Sequence, residues 1–227
     1  MRIVQVIHGW PPESMGGTGL YVDALARGLR AREHRVWIAH PGPHGPPGVK
    51  VHGQQVTLTG PAPLKWTDSW RRAPVCGVWR RWLREVAPDV VHIHHLSGLP
   101  LGLVDASREC GARTVLTLHD YALPCARGQL VDRDLQPCPG PTPTRCARCI
   151  AEQLRLDPLT AHVAAALARW PVLRRQLRDA AGALPPRAAD AARIQARLDV
   201  VTAALAAADV LLAPSQDLAE RFAALGL

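Results

Sequence analysis

Short apolar runs alternate with stretches of helical period through the first 120 residues, and this alternation restricts the fold more than any other property of the chain. Ile3 to Ile7 reads as a strand, Leu20 to Ala31 as a helix with Tyr21, Leu25 and Leu29 on one face, and Arg35 to Ala39 as a second strand. Pro41 to Pro47 is turn-forming, and Val49 to Leu58 reads as one or two short strands. Val75, Trp79, Trp82 and Val86 recur at helical spacing until Pro88 ends the element. Asp89 to His94, Leu101 to Cys110 and Thr114 to Leu118 then give strand, helix and strand. Such units in series impose right-handed crossovers. The expected fold class is α/β: a Rossmann-like parallel sheet with helices on both faces.

The pattern breaks after Asp120. Tyr121 to Cys149 is a Pro/Gly/Cys loop, and Ala151 to Ala208 is Ala- and Arg-rich and helical, interrupted at Pro158, Pro171 and Pro185. Asp209 to Ala213 reads as a last short strand, with a helix from Gln216 to Leu225 behind it. One domain over 1–227 is expected, with a Cys-rich loop at 121–150 and a helical insertion at 151–208. Ile3 to Ile7 is too short for a signal-peptide core, and Val200 to Ala213 carries Asp209 and falls short of a bilayer span. The expectation is a cytoplasmic protein without transmembrane helices. A hydrophobic content of 48% excludes a disordered chain, and a formal charge of +8 favours anionic partners. No zinc-finger spacing, RNA-recognition signature or basic helix-turn-helix accompanies that charge, so no nucleic acid partner is expected.

Two places carry candidate chemistry. Gly16, Gly17 and Gly19 lie between the first strand and the first helix, where backbone N–H groups and the helix dipole suit a phosphate. The spacing is not GxGxxG and no Walker lysine is present, which disfavours a nicotinamide-dependent oxidoreductase. A bare strand-to-helix turn stays open beside the phosphate reading. His119 and Asp120 follow the apolar run Val115 to Leu118, at the carboxyl edge where open α/β sheets place their ligands. A histidine there is suited to hydrogen-bond a sugar hydroxyl, and Asp120 to orient it or to bind an acceptor hydroxyl. His8, His94 and His95 also follow strand ends, which weighs against a histidine that merely caps a strand.

These pieces, in this order, resemble the N-terminal domain of retaining glycosyltransferases with the GT-B fold, a group that serves cell-wall, capsule and glycolipid synthesis. The resemblance rests on Trp10-Pro11-Pro12 after the first strand, Gly16-Gly17 with the Leu25-Ala26-Leu29 helix, and the Arg32 to Ile38 turn-and-strand. Pro88 to His94, Thr117 to Asp120 and Ala208 to Ser215 complete it. It implies a two-domain enzyme whose N-terminal half mainly binds a glycan or lipid-linked acceptor. The C-terminal half would bind the nucleotide-sugar donor. By position Gly16 and Gly17 match the loop that approaches the donor diphosphate, and His119 matches a cleft histidine that contacts the donor sugar. His8, His94 and His95 fall on the acceptor side. Two departures stand out. The C-terminal donor domain with its paired glutamates is absent from the sequence, and Arg32-Glu33-His34 stands where the family often has a glycine. A stand-alone zinc-stapled partner module of the same fold is the alternative.

Cys125, Cys138, Cys146 and Cys149 offer four soft ligands, the last two as a Cys-x2-Cys pair, and suit a closed structural zinc site. An iron–sulfur cluster and free thiols are the alternatives, while Cys76 and Cys110 read as core residues. Trp66, Trp70, Trp79 and Trp82 are interleaved with arginines, which gives either a packed helix with solvated arginines or a peripheral membrane contact on the cytoplasmic face.

Overall fold

In the computed structural model, which describes residues 1–11, 16–61, 73–132, 135–150, 172 and 188–226, the first strand lies at the centre of the sheet. The strands are β1 Arg2–Val6, β2 Arg35–His44, β3 Gly48–His52, β4 Gln55–Gly60, β5 Val90–Ile93, β6 Arg113–Thr117 and β7 Val210–Leu212. They form a seven-stranded sheet in the order β3-β4-β2-β1-β5-β6-β7. Every pairing is parallel except that of β3 with β4, a hairpin that turns at Gly53 with φ of 60°. The helices are α1 Gly17–Ala31, α2 Ala73–Val86, α3 Leu103–Arg108, α4 Pro143–Cys149, α5 Ala188–Ala207 and α6 Gln216–Ala224.

The period of two along each strand sorts side chains onto two covered faces. Val36 and Ile38 share a cluster with Ile3, Ile7 and Val22 and Ala26 of α1. Trp37, between them in sequence, meets Trp82 of α2 edge-on, with ring centroids 6.5 Å apart. Helices therefore cover both faces, and the α/β Rossmann-like expectation holds. On the α2 side, Trp79 is fully buried and donates its Nε1–H to Ser107 Oγ of α3 at 3.0 Å, while Ser107 donates to Leu103 O at 2.7 Å. The burial of Trp79 and Trp82 makes α2 a packed helix. Trp66, Trp70, Arg71 and Arg72, most of the 151–208 insertion, and Ser14 and Met15 of the glycine loop lie outside the described residues. Among the described residues no helix is long and apolar enough to cross a membrane.

Three local expectations give way. β2 runs on through Pro41, Gly42 and Pro43 to His44, where a turn was expected. Beyond Ala39 it pairs only with β4, through a bulge between Pro41 and His44, and a one-sided strand tolerates prolines. Gly42 fits because a Cβ there would collide with Thr57 Cγ2 of β4. The buried stripe of α1 is Val22 and Ala26, with Leu29 against it, and Tyr21 is 46% exposed. Finally, the Cys-rich loop contains a helix, α4, whose start is set by Pro143 in the first turn and by Thr142 Oγ1 accepting from Arg145 N–H at 3.3 Å.

The chain divides into two compact units. One, from Met1–Pro63, Asp68–Asp120 and Val200–Leu227, carries the sheet. In it β7 is tied to β6 through Asp209, whose carboxylate accepts from the Thr114 backbone N–H at 2.8 Å and from its hydroxyl at 2.9 Å. The other is chiefly Tyr121–Asp199, where Ala147 and Ile150 pack on Ile194 of α5.

The Arg32-Glu33-His34 departure has a conformational counterpart. Glu33 follows the C-cap of α1 with φ of 63°, the left-handed region that disfavours a Cβ. Glu33→Gly is therefore expected to stabilise the protein by about 1 kcal/mol. The check is the urea midpoint at constant m; an unchanged or lower midpoint would show that the position carries no strain.

Candidate active site

The chain leaves β1 to one side through α1 to β2, and the sheet continues on its other side with β5. Where strand order reverses, the crevice at the carboxyl ends of the strands is open for a ligand. His8 follows β1, His94 and His95 follow β5, and His119 and Asp120 follow β6, so all five candidates reach this edge.

A row of polar side chains leads to it along the α1 face. The register sets Gln5 opposite His92. His92 Nε2 is 2.7 Å from Thr117 Oγ1, and the His92 and His94 rings lie 3.9 Å apart. His94 Nε2 is hydrogen-bonded to the Gln5 side-chain amide, and His94 Nδ1 is 3.2 Å from His119 Nε2. Tyr21, one turn into α1, meets His94 and His119 edge-on at 5.6 Å and 5.2 Å. The amino end of α1 therefore stands beside His119. Among the described residues nothing caps that end: Gly16, the N-cap, has an extended backbone and gives no side-chain cap. A Cβ at Gly16 or Gly17 would meet nothing within 4 Å among the described residues. Neither backbone conformation nor packing among these residues asks for glycine there.

Burial lowers the pKa of His94 to about 2 and that of His92 to about 4, with neighbouring histidines adding to both shifts. His119 and His8 are also lowered, chiefly by burial and then by the nearby His95. All four are neutral at neutral pH. A second pair lies alongside. Ser97 N–H donates to His95 Nδ1 at 3.0 Å, which places the proton of the neutral ring on Nε2, 3.0 Å from Asp120 Oδ2. The His8 ring lies tilted against that of His95, with centroids 4.3 Å apart, and its Nδ1 is buried with no hydrogen-bond partner among the described residues. The arrangement offers a helix amino end for an anion, a neutral imidazole beside it, and a carboxylate fixed by a second imidazole.

The sequence profile of Glycosyltransferase Family 4 matches residues 15–227. The chain belongs to that family. No curated protein sequence matches it. Among solved structures it is similar to trehalose-6-phosphate synthase, studied with bisubstrate glycomimetics for enzymatic glycosyl transfer with retention, at 14% identity and a TM-score of 0.39. That alignment covers 99% of this chain and 42% of the other, so the chain spans less than half of that structure's length. At this level of likeness the family assignment rests on the sequence profile alone.

The zinc expectation gains no support from the structure. Among the described residues of this family 4 chain, no three His, Cys, Asp or Glu side chains are grouped to hold an ion, Cys125, Cys138, Cys146 and Cys149 included. They do lie within electrostatic reach of one another around Cys146. Burial, with the other three thiols adding to it, pushes the Cys146 thiol up to about 11. Cys146 packs on the cluster of Ala147, Ile150 and Ile194. Cys76 is buried as expected, whereas Cys110 is half-buried and donates its thiol to Arg80 O at 3.5 Å.

Sequence reading missed Gln5, His92 and Tyr21. Gln5 had a signal: an amide inside the apolar run Ile3 to Ile7 needs a buried partner.

The lowered histidines fix the sign of a pH dependence. Between their folded-state pKa values and the ordinary 6.5, the unfolded chain binds protons that the folded chain refuses, so stability falls as the pH drops from 6.5 toward 4. His92→Gln is expected to remove on the order of 3 kcal/mol of that fall. Urea unfolding of both proteins at a series of pH values is the check, and parallel curves would show that His92 is not buried neutral.

Proposed function

We propose that this family 4 chain is the acceptor-side half of a retaining GT-B hexosyltransferase. It would pass a sugar from a nucleotide-sugar donor to a glycan or lipid-linked acceptor, together with a C-terminal donor-binding domain. The observation that carries this reading is the bare Gly16-Gly17 amino end of α1 beside the neutral His119, joined through Tyr21. Unpaired N–H groups and the positive helix end suit a diphosphate. As the sugar–phosphate bond breaks, negative charge grows on the departing oxygen, and oriented N–H dipoles stabilise it without reorganising. That oxygen then accepts the proton of the incoming acceptor hydroxyl, on the same face of the sugar. His119 is a hydrogen-bonding contact for the donor sugar. Asp120, held by His95, and His8, whose Nδ1 has no partner among the described residues, are assigned to the acceptor side.

In the enzyme carrying its donor-binding half, His119→Ala is expected to lower transfer by about 100-fold or more while leaving the fold intact. Gly16→Ala should also leave the fold intact, since its Cβ meets nothing among the described residues, yet raise the KM for the nucleotide sugar. Transfer is followed by release of the nucleoside diphosphate, and folding by circular dichroism. Wild-type turnover in His119→Ala would remove His119 from the reaction.

A further inference from the structure

We propose that Gln5 and His94 are positioning residues that fix His119 as its Nδ1–H tautomer. The site would then present an N–H donor, rather than a lone pair, at the ring nitrogen that His94 does not engage. The hydrogen-bond chain belongs to the fold; its use in transfer rests on the role proposed above for His119.

Three facts carry the inference. His94 is 1% exposed, burial keeps its ring neutral, and both its nitrogens are engaged, Nε2 by the Gln5 amide and Nδ1 by His119 Nε2 at 3.2 Å. A neutral imidazole donates at one nitrogen and accepts at the other. The Gln5 amide, His94 and His119 can therefore take only two concerted registers. In the first, Gln5 Oε1 accepts from His94 Nε2–H, and His119 must donate from Nε2, which leaves a lone pair at its Nδ1. This register strands Gln5 Nε2, a buried nitrogen with no hydrogen-bond partner among the described residues. In the second, the amide is turned end for end, Gln5 Nε2–H donates to His94 Nε2, His94 Nδ1–H donates to His119 Nε2, and the His119 proton sits on Nδ1. Only a carbonyl is then left short, and buried carbonyls go unpaired more readily than buried N–H groups. Of the neighbouring groups, His92 Nε2 is engaged by Thr117 Oγ1, and the Tyr21 ring meets both imidazoles in T-shaped contacts.

The second register suits a site that breaks a sugar–phosphate bond. A neutral N–H can hydrogen-bond a sugar oxygen without setting a full positive charge next to a carbon that is itself becoming positive. An imidazolium would oppose that charge.

Nitrogen-15 NMR of the full chain with labelled histidine, at neutral pH, decides the matter. The expected spectrum has pyrrole-type Nδ1 and pyridine-type Nε2 resonances for both His94 and His119. Protonation of either ring on Nε2 overturns the inference. Gln5→Met keeps an unbranched side chain of similar length but removes the amide, and should shift His119 Nδ1 from pyrrole-type toward a mixture. An unchanged His119 in a folded Gln5→Met protein also overturns it, and if that variant does not fold, the wild-type spectrum alone suffices. The two readings of this edge fail separately. The expected tautomer combined with full transfer activity in His119→Ala keeps the relay and removes His119 from the transfer reaction. The opposite tautomer combined with loss of transfer does the reverse.

Discussion

β1 has a strand on each side, β2 on one and β5 on the other, and the rest of the sheet unit follows from that double pairing. Because the chain departs from β1 in two directions, the crossing segments diverge above its carboxyl end and cannot fill it. The same register that sets Ile3 against Val36 and Val90 also sets Gln5 against Ile38 and His92. An apolar packing rule and a polar row thus share one set of strands. The core holds α1 and α2 on opposite faces, and the row takes the α1 face toward the crevice.

That row is polar and uncharged. Desolvation opposes a proton on His92 and His94 more strongly than any neighbour favours one, and no carboxylate is among the causes of either shift. Charge near the crevice is held farther out, at Asp120 against His95. The division separates an inner part that transmits hydrogen-bond direction from an outer part that keeps a formal charge in partial contact with water. The function proposed above gives the arrangement a chemical setting, since sugar transfer calls for oriented donors near a phosphate and little free charge near the sugar carbon.

Much of this was legible in the sequence, and the reasons differ from place to place. Strand positions could be read because apolar runs such as Val115 to Leu118 are bounded on both sides by polar or turn residues. The gathering of His8, His94, His95, His119 and Asp120 followed from one rule about parallel sheets and needed no side-chain detail. The pairings within that group were not legible, since they depend on register: Gln5 finds His94 across 89 positions of sequence, and Asp120 serves His95 across 25. β2 was read too short because Pro41 and Pro43 signal a turn unless one knows that the strand has lost a neighbour. For the cysteines, spacing reports which thiols can meet, and Cys125, Cys138 and Cys149 do gather around Cys146, without forming a metal-ligand group among the described residues.

The buried row also constrains how this chain can drift over generations. Replacing Gln5, His92, His94 or Thr117 singly by an apolar residue strands a hydrogen-bonding partner, whereas replacing two bonded members together strands far less. Substitutions at these positions should travel in pairs, Gln5 with His94 and His92 with Thr117. The outer pair differs: with Asp120 half in water, a change at His95 leaves its carboxylate hydrated.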